Sequence, residues 1–139
     1  VKRLLTEYKG KVRWVMRDFP LSFHERAKPA AIAAHCAAKQ DKFWHMYSAL
    51  FDTQRALSDE DIEKYAKDIK GQKYDDWKKC TANSGPIEAI IDEHTNDGIR
   101  LGISGTPAFS INGRKLSGAL PYEEFKRIFD EELTRAKKS

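Results

Sequence analysis

Apolar positions along this chain recur mostly at helical spacing, and the pattern gives way in two places to the two-residue period of a strand. Val1, Leu4, Leu5 and Tyr8 share one helical face with no capping side chain before them, and Gly10 stops the pattern. Between 11 and 17, Lys11, Arg13 and Arg17 interleave with Val12, Trp14 and Met16, which predicts a strand with one buried face. From Pro20 to Ile103 every periodic segment is helical. Pro29 suits a first helical position, and the alanine-rich run to Gln40 sets Ile32 and Cys36 on one face. Phe43, Tyr47, Leu50 and Phe51, joined by Trp44, make the next apolar face. Ser58 predicts an N-cap with Asp61 at the capping-box position, and Ile62, Tyr65, Ala66 and Ile69 line that helix up to Gly71. A short helix over 75–81 presents Trp77 and Cys80, and a longer one runs from Pro86 to Gly102 with Ile87, Ile90, Ile91, His94, Gly98 and Leu101 at helical spacing.

The period changes again at 107–111, a predicted short strand; Asn112-Gly113 is a two-residue hairpin signal, and 114–117 returns. Pro121 opens a last amphipathic helix with Tyr122, Phe125, Ile128, Phe129 and Leu133 facing inward and Lys137 and Lys138 at its negative end. The order is helix, strand, about five helices, hairpin, helix. Neither a lone strand nor a lone hairpin is stable alone, so the two must belong to one sheet and the class is α/β with a helical insertion.

Composition narrows the functions. A chain of 139 residues fits one domain, and no apolar run approaches the roughly 18 residues of a membrane span. The opening residues do not read as a signal peptide, which leaves export open. The net charge of +4 is spread among interleaved acids and bases, so no nucleic-acid partner is expected. Cys36 and Cys80 fit no zinc spacing and are either a pair or two buried thiols. Each sits within a helix on an apolar face, whereas a reactive thiol favours a helix start, which weighs against either as a redox centre. No histidine has a second histidine or a cysteine at i+3 or i+4, so none is read as a metal ligand or catalytic base. His35 and His94 are expected on or beside packed faces, and His24 and His45 exposed.

Three stretches carry a resemblance: residues 17–21, Arg17-Asp18-Phe19-Pro20-Leu21; residues 30–44, with Ala33-Ala34-His35-Cys36-Ala37-Ala38 and Lys42-Phe43-Trp44; and residues 102–113, with Gly105-Thr106-Pro107 and Asn112-Gly113. Together they resemble the DsbA-like thioredoxin-fold thiol:disulfide oxidoreductases over essentially the whole chain. The resemblance implies a single domain in which 1–19 and 104–139 form the thioredoxin part and 20–103 a helical insertion between the second strand and the cis-proline hairpin. The family's first strand and its redox-active Cys-X-X-Cys segment are absent from this sequence, so no nucleophile can be named in it. The expectation is that this segment lies outside the 139 residues, or that another chain fills the gap as in a strand-swapped dimer.

The resemblance further implies that Thr106 offers backbone hydrogen bonds to an extended substrate, while Pro107, after a cis bond eased by Gly105, shapes the loop and keeps metal off the thiols. Many exported relatives carry a second, non-catalytic cysteine pair in the insertion. That implies a structural Cys36–Cys80 disulfide and a periplasmic or otherwise exported location, with two buried thiols as the alternative. No cofactor is expected, and the partners are thiol- or disulfide-containing proteins and a redox partner protein. Two rival classes stand beside this enzyme: a non-catalytic peptide-binding module of the same fold, and a helical scaffold using Trp14, Trp44 and Trp77 as interface anchors.

Overall fold

The computed structural model describes all 139 residues. Helix α1 (Lys2–Glu7) is followed by α2 (Ala27–Ala38), α3 (Phe43–Asp52), α4 (Asp59–Asp68), α5 (Tyr74–Ala82) and α6 (Gly85–Arg100). Strands β1 (Ala108–Ile111) and β2 (Arg114–Ser117) and helix α7 (Tyr122–Lys138) complete the chain. It forms two compact units, one of residues 1–17 with 98–139 and one of residues 18–97.

In the first unit, Leu4 and Tyr8 from the N-terminal turns bury against Phe125 and Phe129 of α7, with Phe109, Ile111 and Leu116 of the hairpin on the same core. Phe109 meets Phe125 edge-on at 4.8 Å. β1 and β2 are antiparallel, with Phe109 opposite Leu116 and Ile111 opposite Arg114. Asn112 and Gly113 both take positive φ, as a tight two-residue turn demands, which is why an Asn-Gly pair stands there. Glu132 of α7 is buried, and Asn112, Arg114 and Arg135 each donate to its carboxylate at 3.3 Å, so the turn is pinned to the helix.

The predicted strand at 11–17 is not one. Its side chains do alternate in burial, with Val12, Trp14 and Met16 partly covered and the residues between them exposed. No neighbouring strand takes up its backbone groups, and the sheet has two strands only. The two-residue period gave the face correctly, but a strand needs a hydrogen-bonded neighbour as well.

The second unit is built on α2. Ala33, Ala34, Cys36 and Ala37 are all but sealed from solvent among Met46, Leu50, Ile62, Ala66, Ile69, Trp77, Ile87 and Ile91. Small side chains let the neighbouring helices approach closely, and the Trp77 indole donates to the Ala33 carbonyl at 3.0 Å. One turn on, Cys36 and Cys80 are joined in a disulfide with their Cα atoms 5.7 Å apart. Ser58 and Asp61 cap α4 reciprocally, as their spacing predicts. Five apolar residues placed on apolar helical faces by periodicity lie outside instead: Val1, Trp44, Phe51, Ile90 and Leu101 are about half exposed. They sit at the edges of broad apolar stripes, where spacing alone does not separate the rim from the core.

Two stability predictions follow from these contacts. Closing a loop across 44 positions is worth at most about 4 kcal/mol in the chain-entropy model. The double variant Cys36→Ala/Cys80→Ala should therefore lose roughly 2–4 kcal/mol in urea unfolding, and an unchanged midpoint would show that the bridge carries no stability. In the other unit, Asp130 accepts from Lys126 and from the Tyr8 hydroxyl, each at 2.6 Å, and these bonds, Lys126 first, hold its carboxyl below the usual range. A depressed carboxyl stabilises the fold above its unfolded value of about 3.9 and loses that contribution as pH falls through the lower folded value. Tyr8→Phe should flatten the loss of thermal stability between about pH 4 and pH 2, and parallel curves for both proteins would contradict this.

Candidate functional site

The segment joining α6 to β1 is held at both ends. Gly102 takes a left-handed φ of 77°, its N–H donates to the Ile99 carbonyl, and the Ile103 N–H reaches back to Gly98, so α6 is closed by a glycine cap. Lys115 of β2 donates to the Leu101 carbonyl at 2.5 Å. At the other end the Gly118 N–H donates to the Pro107 carbonyl at 2.8 Å, extending the hairpin ladder one step past β1. Between these anchors Ser104, Thr106 and Pro107 are exposed, and the Thr106–Pro107 peptide bond is cis. Gly105 does not have a left-handed φ and a Cβ there would meet nothing, so the expected need for a glycine at this point is not seen.

Hydrogen-bonding direction along β1 follows from its register. Ile111 pairs with Arg114 across the turn and Pro107 with Gly118, so residues 107, 109 and 111 turn their backbone groups toward β2. Residues 106, 108 and 110 turn theirs to the opposite edge, which no strand covers. Neither the N–H nor the C=O of Thr106 bonds within the chain. An extended peptide laid along this edge would find a donor and an acceptor on one residue, backed by Phe109 with the Trp14 ring 6.2 Å from it.

Cys36 and Cys80 are joined to each other, and neither is placed for thiol chemistry. Cys36 lies in the third turn of α2 at 1% exposure and Cys80 near the end of α5, so neither sulfur meets the positive end of a helix.

A second grouping lies within the 18–97 unit and was missed in the sequence. Asp18, buried to 9% exposure in the irregular segment that leads to α2, directs Oδ2 at two imidazoles: His35 Nε2 of α2 at 2.7 Å and His94 Nδ1 of α6 at 2.8 Å. Burial by itself would push the Asp18 carboxyl up, but the hydrogen bond and charge of His35, and then those of His94, outweigh it and hold the carboxyl below its ordinary value. The search for partners at i+3 and i+4 failed because the three residues come from three separate segments, 17 and 59 positions apart. The one available signal was that His35 and His94 both fell on or beside packed faces, where an imidazole needs a polar partner. His24 and His45 are exposed, as expected.

A family model described as thioredoxin matches residues 1–131. The chain belongs to the thioredoxin family. Among curated proteins it is similar to Na(+)/H(+) antiporter NhaA 3 of Salinispora tropica, 34% identical over 125 residues, which is 88% of this chain and 18% of that protein. It resembles Na(+)/H(+) antiporter NhaA 1 of Salinispora arenicola at the same identity, over 88% of this chain and 19% of that protein. With Na(+)/H(+) antiporter NhaA 1 of Mycolicibacterium vanbaalenii it is 33% identical over 76% of this chain and 17% of the relative. The chain thus spans about a fifth of the length of the curated relatives it matches. No helix of this chain is long and apolar enough to cross a membrane.

Proposed function

We propose that this thioredoxin-family chain is the substrate-holding body of a DsbA-like thiol:disulfide oxidoreductase acting on exported proteins. The observation that carries the reading is the unpaired backbone of Thr106, displayed on an uncovered sheet edge of a thioredoxin-family domain. The helical unit is then the insertion between two sheet segments. On this reading, a strand ending in Cys-X-X-Cys would fit between residues 11–17 and β1. Its period-two burial and the open edge of β1 are what such a strand would complete. The buried Cys36–Cys80 bridge supports an oxidising compartment such as the periplasm.

In disulfide formation, a thiolate of the substrate held at Thr106 attacks the Cys-X-X-Cys disulfide. One sulfur of that pair leaves with the bonding electrons and takes up a proton, and a mixed disulfide remains. The second substrate thiolate then breaks the mixed disulfide, so two electrons pass from substrate to enzyme and a substrate disulfide is formed. Disulfide reduction is the same sequence reversed. Residues 106–107 bind and orient; they are not the nucleophile.

A second reading rests on the relatives' names: a binding module of this fold joined to a Na(+)/H(+) antiporter, with no redox pair of its own. One experiment separates the two. The full-length protein, denatured after reduction, should show two reactive thiols beyond Cys36 and Cys80 and should catalyse insulin reduction by dithiothreitol. No further thiols and no turnover would leave the module and remove the enzyme.

A further inference from the structure

The geometry points to a divalent zinc-type metal site formed by Asp18, His35 and His94, independent of the redox reading above. The three donor atoms, Asp18 Oδ2, His35 Nε2 and His94 Nδ1, lie within 4.8 Å of one another. All three belong to the 18–97 unit, and apart from the Asp18 backbone N–H at His94 Nδ1 they bond only to one another. Two imidazoles and one carboxylate match zinc and its first-row neighbours, whereas calcium and magnesium call for oxygen ligands throughout.

The hydrogen bonding of the cluster is at odds with itself in the absence of a cation. The Asp18 backbone N–H donates to His94 Nδ1 at 3.3 Å, which requires a lone pair on that nitrogen. The same nitrogen lies 2.8 Å from Asp18 Oδ2, an oxygen with lone pairs only. With Nδ1 unprotonated, two lone pairs face each other; with it protonated, two N–H groups do. Neither tautomer satisfies both contacts. A cation drawing on Nδ1, Oδ2 and His35 Nε2 turns the close 2.8 Å meeting of two lone pairs into shared coordination, and the single lone pair of Nδ1 then goes to the ion in place of the longer 3.3 Å contact with the Asp18 N–H.

Room and access are consistent with this. Around a tetrahedral zinc with bonds of about 2.1 Å, ligand atoms stand about 3.4 Å apart, so the present 2.7 and 2.8 Å separations need to open by roughly 0.6–0.7 Å, while the two imidazole nitrogens, within 4.8 Å of each other, need to close by at most about 1.4 Å. The His35 and His94 side chains keep 19% and 16% of their surface exposed, which gives an ion a path in and leaves a fourth position for water or a substrate group. Bound there, the ion would tie the segment before α2 to both α2 and α6. The alternative is a metal-free polar clamp, in which a carboxylate merely holds two imidazoles.

The test is calorimetric titration of ZnCl2 into the untagged, chelator-treated full-length protein, kept oxidised so that no thiolate competes. One zinc per chain is expected, with a Kd on the order of 1 μM or tighter. His35→Gln and His94→Gln, each with an unaltered circular dichroism spectrum, should weaken binding by at least about 100-fold. In case either variant does not fold, the imidazole resonances of the natural protein provide the same information: zinc should shift those of His35 and His94 and leave His24 and His45 in place. No binding, equal binding in folded variants, or shifts confined to His24 and His45 would overturn the site in favour of the clamp.

Discussion

A strand exists only when a neighbour takes its backbone N–H and C=O groups, and that requirement governs how this molecule is to be read. Residues 11–17 have the side-chain alternation of a strand but no partner, and they remain irregular. β1 has a partner on one side only, so the backbone groups of Ala108 and Ser110, and of Thr106 just before it, face the uncovered edge. Both features lie in the 1–17 and 98–139 unit, where Phe109, Trp14 and α7 supply the apolar backing. On the function proposed above, this uncovered edge is the surface that an extended peptide would meet.

The helical unit answers a different constraint. α2 carries alanines where helices meet closely, and the Trp77 indole bond and the Cys36–Cys80 bridge tie its buried face to α5. His35 is the neighbour of Cys36 and points away from that core, about 100° round the helix, toward Asp18. A single helix thus carries a cross-link on one face and one arm of the Asp18–His35–His94 cluster on another.

Much of this was legible in the sequence. Helices α2 to α7, the Ser58–Asp61 capping box and the Asn112–Gly113 turn announce themselves through local signals, because periodicity, caps and turn residues are properties of neighbouring positions. Membership in the thioredoxin family followed from the motifs around Phe43 and Thr106 and is borne out by the family match over residues 1–131. Long-range facts were not legible in the same way. The strand at 11–17 failed because pairing depends on a distant segment, and the Asp18 cluster escaped because its members are far apart in sequence. Ile90 and Leu101 failed through the limits of spacing, which assigns a stripe but not its edge.

The central claim is that Thr106 presents its backbone to an extended substrate. Amide hydrogen exchange at Thr106 in the full-length protein, with and without a saturating cysteine-containing peptide in extended conformation, tests it most directly. A new backbone hydrogen bond should slow exchange at Thr106 by about tenfold or more while Phe109 and Ile111, already bonded to β2, change little. Unchanged exchange at Thr106 with the peptide bound would mean that substrate is held elsewhere.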